Sequence, residues 1–337
     1  MLALVYINSV SYYYNSMIKA QINDSELESH IESLEKDGLS IFVMADGRAR
    51  GALFHGTRFV NQLRAQHSLG ILETMVLGQA SLCAALMIPT MKGKEHLTWR
   101  YDTDGPAKGF SVESDSSGYV RGFLYENHIP VEKPLESWDL SPFLGDGTMT
   151  MSKVHPGDKA AQSSSVEILY RNITKDLSWF FQQSDQIRTA FNTSIFMDKS
   201  GRVMGAGGMF VQVMPETGGT KGQGANSGSG ADQKVDGELI ERIENAFSAC
   251  PSLGKWFSEK GKTEDVVHGL FREFEPAIAV ERDIIFDCPC SKEKYIGYLK
   301  TLPKNELADI KQNGPDPLEI VCRNCGSVYK IPVSEII

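Results

Sequence analysis

Four cysteines near the end of the chain have the spacing of a metal site. Cys288-Pro-Cys290 and Cys322-Arg-Asn-Cys325 contain four of the six cysteines in the 337 residues. Residues i and i+2 of an extended segment point to the same face, and Gly326 permits the positive φ that metal-binding turns often need. Two such pairs supply the ligands of a tetrahedral site. Four thiolates select a soft metal, so Zn²⁺ is the first choice.

Three kinds of chemistry fit this pattern. Closed Cys₄ sites are usually structural, so the simplest is a zinc clip that holds a small fold together. The second is a redox switch, because zinc holds the sulfurs as thiolates, which oxidants attack. Oxidation would then expel zinc and remove binding energy on the order of 10 kcal/mol. The third is a thiol–disulfide oxidoreductase that uses Cys322-x-x-Cys325. Such a motif should open a helix in a βαβ unit, whereas residues 326–332 predict a turn and a strand.

Composition indicates a globular chain of about two domains. The net charge of −9 and the pI of about 5.4 argue against binding to nucleic acid. The apolar run Thr74–Met91 is interrupted by Gln79, Ser81 and Pro89, so it predicts a buried helix rather than a membrane span. No signal peptide is recognisable after Met1. We therefore expect a cytoplasmic protein, without a membrane partner, whose cysteines are kept reduced.

The pattern along the chain changes several times. Residues 24–34 predict an amphipathic helix capped by Asp24 or Ser25, and either Met1 or Met17 could be the start. Short apolar runs predict strands at 41–44, 96–99, 109–112, 119–125 and 149–153, mixed with helices in the manner of an α+β fold. The predicted segments are an N-terminal extension with a first helix (1–38), an α+β core domain (39–216), a Gly-rich flexible segment (217–233), a helical linker region (234–284) and a zinc-binding redox-switch domain (285–337).

Large apolar residues are concentrated in the helical linker region. Apolar residues recur there at spacings of three and four up to Cys250, and Pro251 ends that helix. Ser252 and Thr263 are the predicted N-caps of two more helices. The simplest interpretation is ordinary core packing, and the alternative is a surface that binds other proteins once the cysteine segment opens. The candidate residues for that surface are Phe247, Trp256, Phe257, Leu270, Phe271 and Phe274.

Outside the cysteine pairs, no motif predicts catalysis, and we assign no catalytic residues. Gly205-Ala-Gly207-Gly208 lacks the spacing of a dinucleotide-binding loop and predicts a tight turn. The sequence contains neither a phosphate-binding loop nor a zinc-protease motif. Cys83 and Cys250 lie on apolar helix patterns and are predicted to be core thiols.

Ordered markers run through most of the chain. The most specific are Phe286-x-Cys288-x-Cys290-Ser291 and Cys322-x-x-Cys325-x-x-x-Tyr329. The other markers are Arg50-Gly51, Thr57 with His67, Leu77-Gly78, Gly105-Pro106, Gly118-x-Val120-Arg121-Gly122, Leu144-Gly145-x-Gly147, Ser184-x-Gln186 and Ala206-Gly207-Gly208 with Gln212-x-x-Pro215. With these markers, the chain from about Leu39 to Ile337 resembles the 33 kDa chaperonin, or heat shock protein 33, family. It departs from the family pattern at Ser163–Ser165, Asp185 and Asn324.

This resemblance implies a redox-regulated, ATP-independent holdase chaperone of the stress response rather than an enzyme. It implies one Zn²⁺ per chain, bound by Cys288, Cys290, Cys322 and Cys325 in the reduced, inactive state. Oxidation would form Cys288–Cys290 and Cys322–Cys325 disulfides, release zinc and unfold the linker. The protein would then bind unfolding client proteins and form a homodimer. A structural zinc-ribbon protein that binds a specific partner is the alternative, and a thiol–disulfide oxidoreductase ranks below it.

Overall fold

The computed structural model describes residues 17–131, 137–214 and 237–336. The chain divides into two compact units, which we call the larger unit (Ala20–Phe286) and the cysteine unit (Met1–Lys19 with Asp287–Ile337). The predicted Gly-rich segment 217–233 lies outside the described residues. The division into five segments stays a prediction.

Two sheets form the framework of the larger unit. Its described strands are β1 (Gly38–Met44), β2 (Ala49–His55), β3 (His96–Thr103), β4 (Gly109–Asp115), β5 (Tyr119–Leu124), β6 (Gly147–Val154), β7 (Gln162–Glu167), β8 (Thr189–Met197), β9 (Val203–Val213), β10 (Ala277–Arg282) and β11 (Ile285–Phe286). One sheet has the order β11-β5-β4-β3-β6-β7 and the other β10-β1-β2-β9-β8. Neighbouring strands are antiparallel except for β11 and β5. The strands predicted from short apolar runs are all present, so the α+β fold is confirmed. The tight turn predicted at residues 205–208 is wrong, because these residues pair with both neighbouring strands in the middle of the sheet as part of β9.

Helices of the larger unit cover these sheets. They are α1 (Ser25–Glu32), α2 (Thr57–His67), α3 (Ile71–Met87), α4 (Ser141–Leu144), α5 (Ile173–Phe180), α6 (Gly237–Ser248), α7 (Leu253–Ser258) and α8 (Thr263–Leu270). The predicted first helix is confirmed. Asp24 is its N-cap and accepts the Leu27 N–H at 3.0 Å, while Leu27 and Ile31, four residues apart, are buried.

Helix α3 is the central helix of the larger unit. It contacts β4 and β5 of one sheet and β8 and β9 of the other. The segment Ile71–Thr90 is long and apolar enough to cross a membrane by composition, yet 89% of its most apolar window is buried within the protein. A helix that is apolar on every face is typical of a position in the protein interior, where other elements surround it. The prediction of a buried helix is confirmed.

The linker helices α6, α7 and α8 pack against the five-stranded sheet. Their apolar side chains form one cluster with Phe42, Met44 and Leu53 of β1 and β2 and with Met209 and Val211 of β9. Helix α7 packs on β8 and β9, and its backbone lies very close to the backbone of these strands. A Cβ added at Gly254 of this helix would lie 2.6 Å from the Phe196 nitrogen and 2.9 Å from the Gly205 oxygen. The glycines therefore allow the helix to approach the sheet backbone.

Caps and strands refine the predicted linker. Ser252 caps α7 by accepting the Lys255 N–H at 3.4 Å, as predicted. The predicted Thr263 cap is wrong, because α8 begins at Thr263 itself and Lys262 is the N-cap without a side-chain bond. The predicted linker region ends in a strand, β10, which pairs with β1. The apolar periodicity of the sequence does not predict this strand.

The cysteine unit contains a hairpin and two short helices in its described part. The hairpin joins β12 (Leu318–Val321) to β13 (Val328–Ile331), and the helices are α9 (Lys292–Leu299) and α10 (Lys304–Asn313). Neither helix contains a buried residue. Short helices without a packed apolar face are marginal in water, so these two depend on the rest of the unit for their stability.

Candidate metal centre

The four C-terminal cysteines meet in one buried cluster within the cysteine unit. Cys288 and Cys290 precede α9, and Cys322 and Cys325 lie in the turn between β12 and β13. All four side chains are buried, and their sulfur atoms lie within 4.8 Å of one another. The convergence of the two pairs, predicted from their spacing, is confirmed.

The sulfur positions fit one tetrahedral metal ion. The Cys288 and Cys322 sulfurs are 3.8 Å apart, and the Cys290 and Cys325 sulfurs are 3.4 Å apart. Zinc–sulfur bonds of about 2.3 Å in a tetrahedron place the sulfurs about 3.8 Å apart. Four thiolates are a soft donor set that favours zinc over the hard cations bound by oxygen ligands. The residues present therefore fit a Cys₄ zinc site.

The second cysteine pair is held by a tight turn. The Cys322 carbonyl accepts the N–H groups of Cys325 at 3.3 Å and of Gly326 at 2.7 Å. Gly326 has a φ of +69°, a conformation that side chains other than glycine rarely adopt. The Cys322 N–H is donated to the Ser327 carbonyl at 2.8 Å. This turn joins two strands and does not open a helix, which is the context expected of a metal clip and not of a helix-borne redox motif.

Polar side chains around the cluster bond to the cysteines directly. The Cys325 thiol is 3.2 Å from the Ser327 hydroxyl, and the Tyr329 hydroxyl donates to the Cys290 carbonyl at 3.2 Å. The carboxylate of Asp287 accepts the Cys288 N–H at 2.8 Å. Ser327 and Asp287 were not singled out from the sequence, because a serine or an aspartate beside a cysteine carries no distinctive pattern.

Hydrogen bonds among the four thiols lower the pKa values of two of them and raise those of the other two. The bond with Cys288 is the main cause that lowers the pKa of Cys322. The bond with Cys290 lowers the pKa of Cys288 to about 7. Bonds with Cys288 raise the pKa values of Cys290 and Cys325. Two of the four sulfurs, those of Cys322 and Cys288, are thus stabilised as anions. Thiolates are the form that binds a metal, so Cys290 and Cys325 would lose their protons on binding one.

The other two cysteines lie outside this cluster. Cys83 is fully buried in α3, and burial raises the pKa of its thiol. Cys250 follows α6, and burial raises its pKa to about 12. Both thiols therefore stay protonated near neutral pH and are poor nucleophiles, in keeping with the core role predicted for them.

The six candidate residues of the linker surface pack within the larger unit. Phe257, Phe271 and Phe274 are buried, and Phe247, Trp256 and Leu270 are partly buried against the same cluster. The Phe271 ring stacks on Phe42 with centroids 5.6 Å apart, and the Phe257 ring stacks on His55 at 4.2 Å. Burial lowers the pKa of His55 to about 4, so its ring is neutral at pH 7. In the described structure, the six candidate residues are therefore part of the hydrophobic core of the larger unit.

Comparison with known proteins gives a consistent result over most of the chain. A model of the Hsp33 protein family matches residues 37–332. The 33 kDa chaperonin of Thermotoga maritima is 30% identical over 296 residues, which cover 87% of this chain and 93% of that protein. The 33 kDa chaperonin of Agathobacter rectalis is 28% identical over 87% of this chain and 95% of its own length. The crystal structure of the Thermotoga maritima 33 kDa chaperonin (heat shock protein 33 homolog) superposes with a TM-score of 0.75 at 28% identity. That match covers 89% of this chain and 96% of the solved one.

Proposed function

Since this chain belongs to the Hsp33 family of chaperones, we propose that it is a redox-regulated, ATP-independent holdase. In the reduced protein the cysteines are thiolates and the linker is packed. In the oxidised protein the cysteines form disulfides, and the exposed linker binds unfolding proteins. The observation that carries this proposal is the cluster of four buried sulfurs within 4.8 Å of one another.

We propose Cys288, Cys290, Cys322 and Cys325 as the ligands of one Zn²⁺ per chain. The ion would hold all four sulfurs as thiolates, which is the reactive form. The supporting features are the tetrahedral spacing, the burial of the sulfurs and the lowered pKa values of Cys288 and Cys322. Tyr329 and Ser327 help to position the pairs through their bonds to Cys290 and Cys325.

We propose that oxidation forms the disulfides Cys288–Cys290 and Cys322–Cys325. With a peroxide as the oxidant, two thiolates, one hydrogen peroxide and two protons from the solvent give one disulfide and two waters, so each pair loses two electrons. The Cys288 sulfur lies 3.8 Å from that of Cys322 and the Cys290 sulfur 3.4 Å from that of Cys325, so sulfurs of different pairs are neighbours, and none of the four is in a disulfide. Disulfide formation within each pair therefore requires the cluster to rearrange, which ends its fit to a metal.

The expected result of this rearrangement is loss of structure in the cysteine unit. Metal binding in small domains supplies folding energy on the order of 10 kcal/mol. Helices α9 and α10 bury no residues of their own, and α9 is held by partly exposed contacts of Lys292 with Glu335 and of Tyr295 with Tyr329, so their fold depends on the unit around them. The chain runs from the linker helices through β10 and β11 directly into Cys288, which provides a covalent route from the cysteines to the linker.

The client-binding surface is proposed to include Phe247, Trp256, Phe257, Leu270, Phe271 and Phe274. These side chains are packed in the described state, so they would become available only when the linker leaves the sheet. Exposed apolar patches of this size bind other proteins. Homodimer formation on activation and a location in the cytoplasm are part of the same proposal.

Zinc content and client aggregation, measured on the same samples, test the proposal. We expect peroxide treatment at elevated temperature to release about one zinc per chain and then to suppress light scattering by a heat-unfolding client. A Cys83→Ser/Cys250→Ser variant is the matched control, because it removes the two thiols outside the cluster and should switch normally. Retained zinc together with unchanged aggregation would refute the switch and favour the structural zinc clip.

A further inference from the structure

Residues 17–36 lie before the region that the family model matches, which begins at residue 37. They nevertheless make specific contacts in the described structure. Ile18 is bonded within the cysteine unit, while Ala20 and helix α1 are bonded within the larger unit. The segment therefore has one attachment within each unit, and the chain itself joins the two attachments.

Ile18 is attached to the turn that holds the second cysteine pair. Its N–H is donated to the Ser327 hydroxyl oxygen at 3.1 Å, and that hydroxyl lies 3.2 Å from the Ile18 carbonyl. The same hydroxyl is 3.2 Å from the Cys325 thiol, and the Ser327 carbonyl accepts the Cys322 N–H. Ser327 is only 2% exposed. The residue that holds Ile18 is therefore positioned by both cysteines of the pair.

The next residues are attached elsewhere. The Ala20 N–H is donated to the Gln66 side-chain oxygen at 2.9 Å, and its carbonyl accepts from the Gln62 side chain at 3.1 Å. Helix α1 follows, and Arg202 pairs with Asp24 at 2.8 Å and with Glu26 at 2.7 Å. These bonds lie within the larger unit and do not involve the cysteines.

We propose that residues 17–20 form a latch that holds the reduced cysteine unit and is released at Ile18 when the cysteines are oxidised. A bond between the Cys322 and Cys325 sulfurs would draw these residues together and change the turn that positions Ser327. The two bonds to Ile18 would then be lost, while those to Ala20 remain. The inference rests on the proposed redox switch and adds to it a segment outside the matched family region.

Linkage gives the latch a measurable effect. A segment that binds the reduced state more tightly than the oxidised state lowers the equilibrium constant for oxidation by the ratio of the two affinities. Two hydrogen bonds of ordinary strength correspond to a factor of about five to thirty. Removal of the latch should therefore raise the equilibrium constant for oxidation and zinc release by about that factor.

Trypsin provides a direct test, because the chain contains two matched Lys–Ala bonds. Lys19–Ala20 lies in the latch, and Lys159–Ala160 lies in the exposed connection between β6 and β7. We expect cleavage at Lys19–Ala20 to be slow in the reduced zinc-loaded protein and at least about fivefold faster after oxidation. Cleavage at Lys159–Ala160 should stay unchanged. An equal ratio of the two cleavage rates in both states would overturn the latch.

Two sets of variants separate the latch from general destabilisation. Ser327→Ala should accelerate cleavage at Lys19–Ala20 in the reduced protein, whereas Thr301→Ala, which removes another hydroxyl of the same unit, should not. In a thiol–disulfide buffer, the equilibrium constant for oxidation and zinc release should be about five to thirty times larger for a chain lacking residues 1–20 than for one lacking residues 1–16, which keeps Ser327 and the latch intact. Equal equilibrium constants for the two truncated chains would also overturn the latch.

Failure of the latch and failure of the chaperone proposal give different results. If zinc leaves and clients are protected while Lys19–Ala20 stays resistant, the latch is wrong and the switch stands. If Lys19–Ala20 becomes sensitive on oxidation but aggregation is not suppressed, the latch is supported and the holdase function is refuted.

Discussion

The contact between α7 and the sheet provides the sharpest test of linker control. We predict that Gly254→Ala weakens the docking of the linker while leaving the cysteine cluster unchanged. The added methyl carbon would lie 2.6 Å from the Phe196 nitrogen, 2.9 Å from the Gly205 oxygen and 3.0 Å from the Ile195 carbonyl carbon. Carbon atoms in ordinary contact are about 3.5–4.0 Å from their neighbours, so the helix must move away by close to an ångström.

The size of the effect follows from two opposed terms. Overpacking of this kind costs about 1–3 kcal/mol, and here the neighbours are backbone atoms that cannot rotate away. Alanine in place of glycine favours the isolated helix by about 0.5–1 kcal/mol. The net weakening of docking is about 1–2 kcal/mol, which raises the undocked population about five- to thirtyfold.

Gly269→Ala is the matched control. It makes the same substitution in the neighbouring helix α8, where a Cβ would meet no atom within 4 Å. We expect protease cleavage within residues 237–274 to accelerate in reduced, zinc-loaded Gly254→Ala and to slow slightly in Gly269→Ala. The first variant should also suppress client aggregation at a lower peroxide dose. If both variants show wild-type protection of this region, the close contact does not control the linker.

Three further predictions concern the cysteines, the buried His55 and the half-buried Asp37. Cys290→Ser should lower bound zinc well below one per chain in an elemental assay, because it removes one of four ligands, and wild-type zinc content would contradict the assignment. Removal of zinc from the reduced protein with a chelator should abolish amide protection in α9 (Lys292–Leu299) and α10 (Lys304–Asn313), since these helices bury no residues; protection that persists would show that the metal is not needed for their fold. Burial lowers the pKa of His55 to about 4, so the folded state loses stability as pH falls from 6.5 toward 4, by about 2 kcal/mol between pH 7 and pH 5. Burial raises the pKa of Asp37 to about 6, so this group acts in the opposite direction and its stability contribution is lost as pH rises from 3.8 through 6. Relative to the wild type, the change in urea midpoint should therefore be more favourable at pH 5 than at pH 7 for His55→Gln, and more favourable at pH 7 than at pH 5 for Asp37→Asn. The same pH dependence of this change in both variants would refute this account.

Local patterns predicted the cysteine cluster and most of the helices. Thiols at i and i+2 or i+3 converge through backbone geometry alone, and Asp24 and Ser252 cap their helices through bonds three residues away. Contacts between distant residues were not predictable in this way. Ile18 and Ser327 are separated by 309 positions, and no periodicity connects them.

Other features depend on partners that a single segment does not reveal. Strand β10 has mostly exposed side chains and exists because β1 offers it an edge. Six large apolar residues identified the linker as a packing element. Only the structure shows that glycines of β9 and α7 allow its close approach. The prediction of Thr263 as an N-cap is wrong because threonine is accepted at the first helical position as well as at the N-cap position before it.

The position of β10 has a consequence for what happens after activation. Strands β9 and β10 belong to one sheet and are separated by two strands, so their backbones are roughly 14 Å apart at about 4.8 Å per step. The 63 residues between Val213 and Ala277 therefore begin and end in the same sheet. While β10 stays paired, undocked linker helices form a closed loop and not a free arm. Closing such a loop costs little more entropy as it lengthens, and its return to the sheet is intramolecular and independent of protein concentration. A client held by that loop stays beside the surface that the linker must cover again, so re-docking competes directly with the bound client.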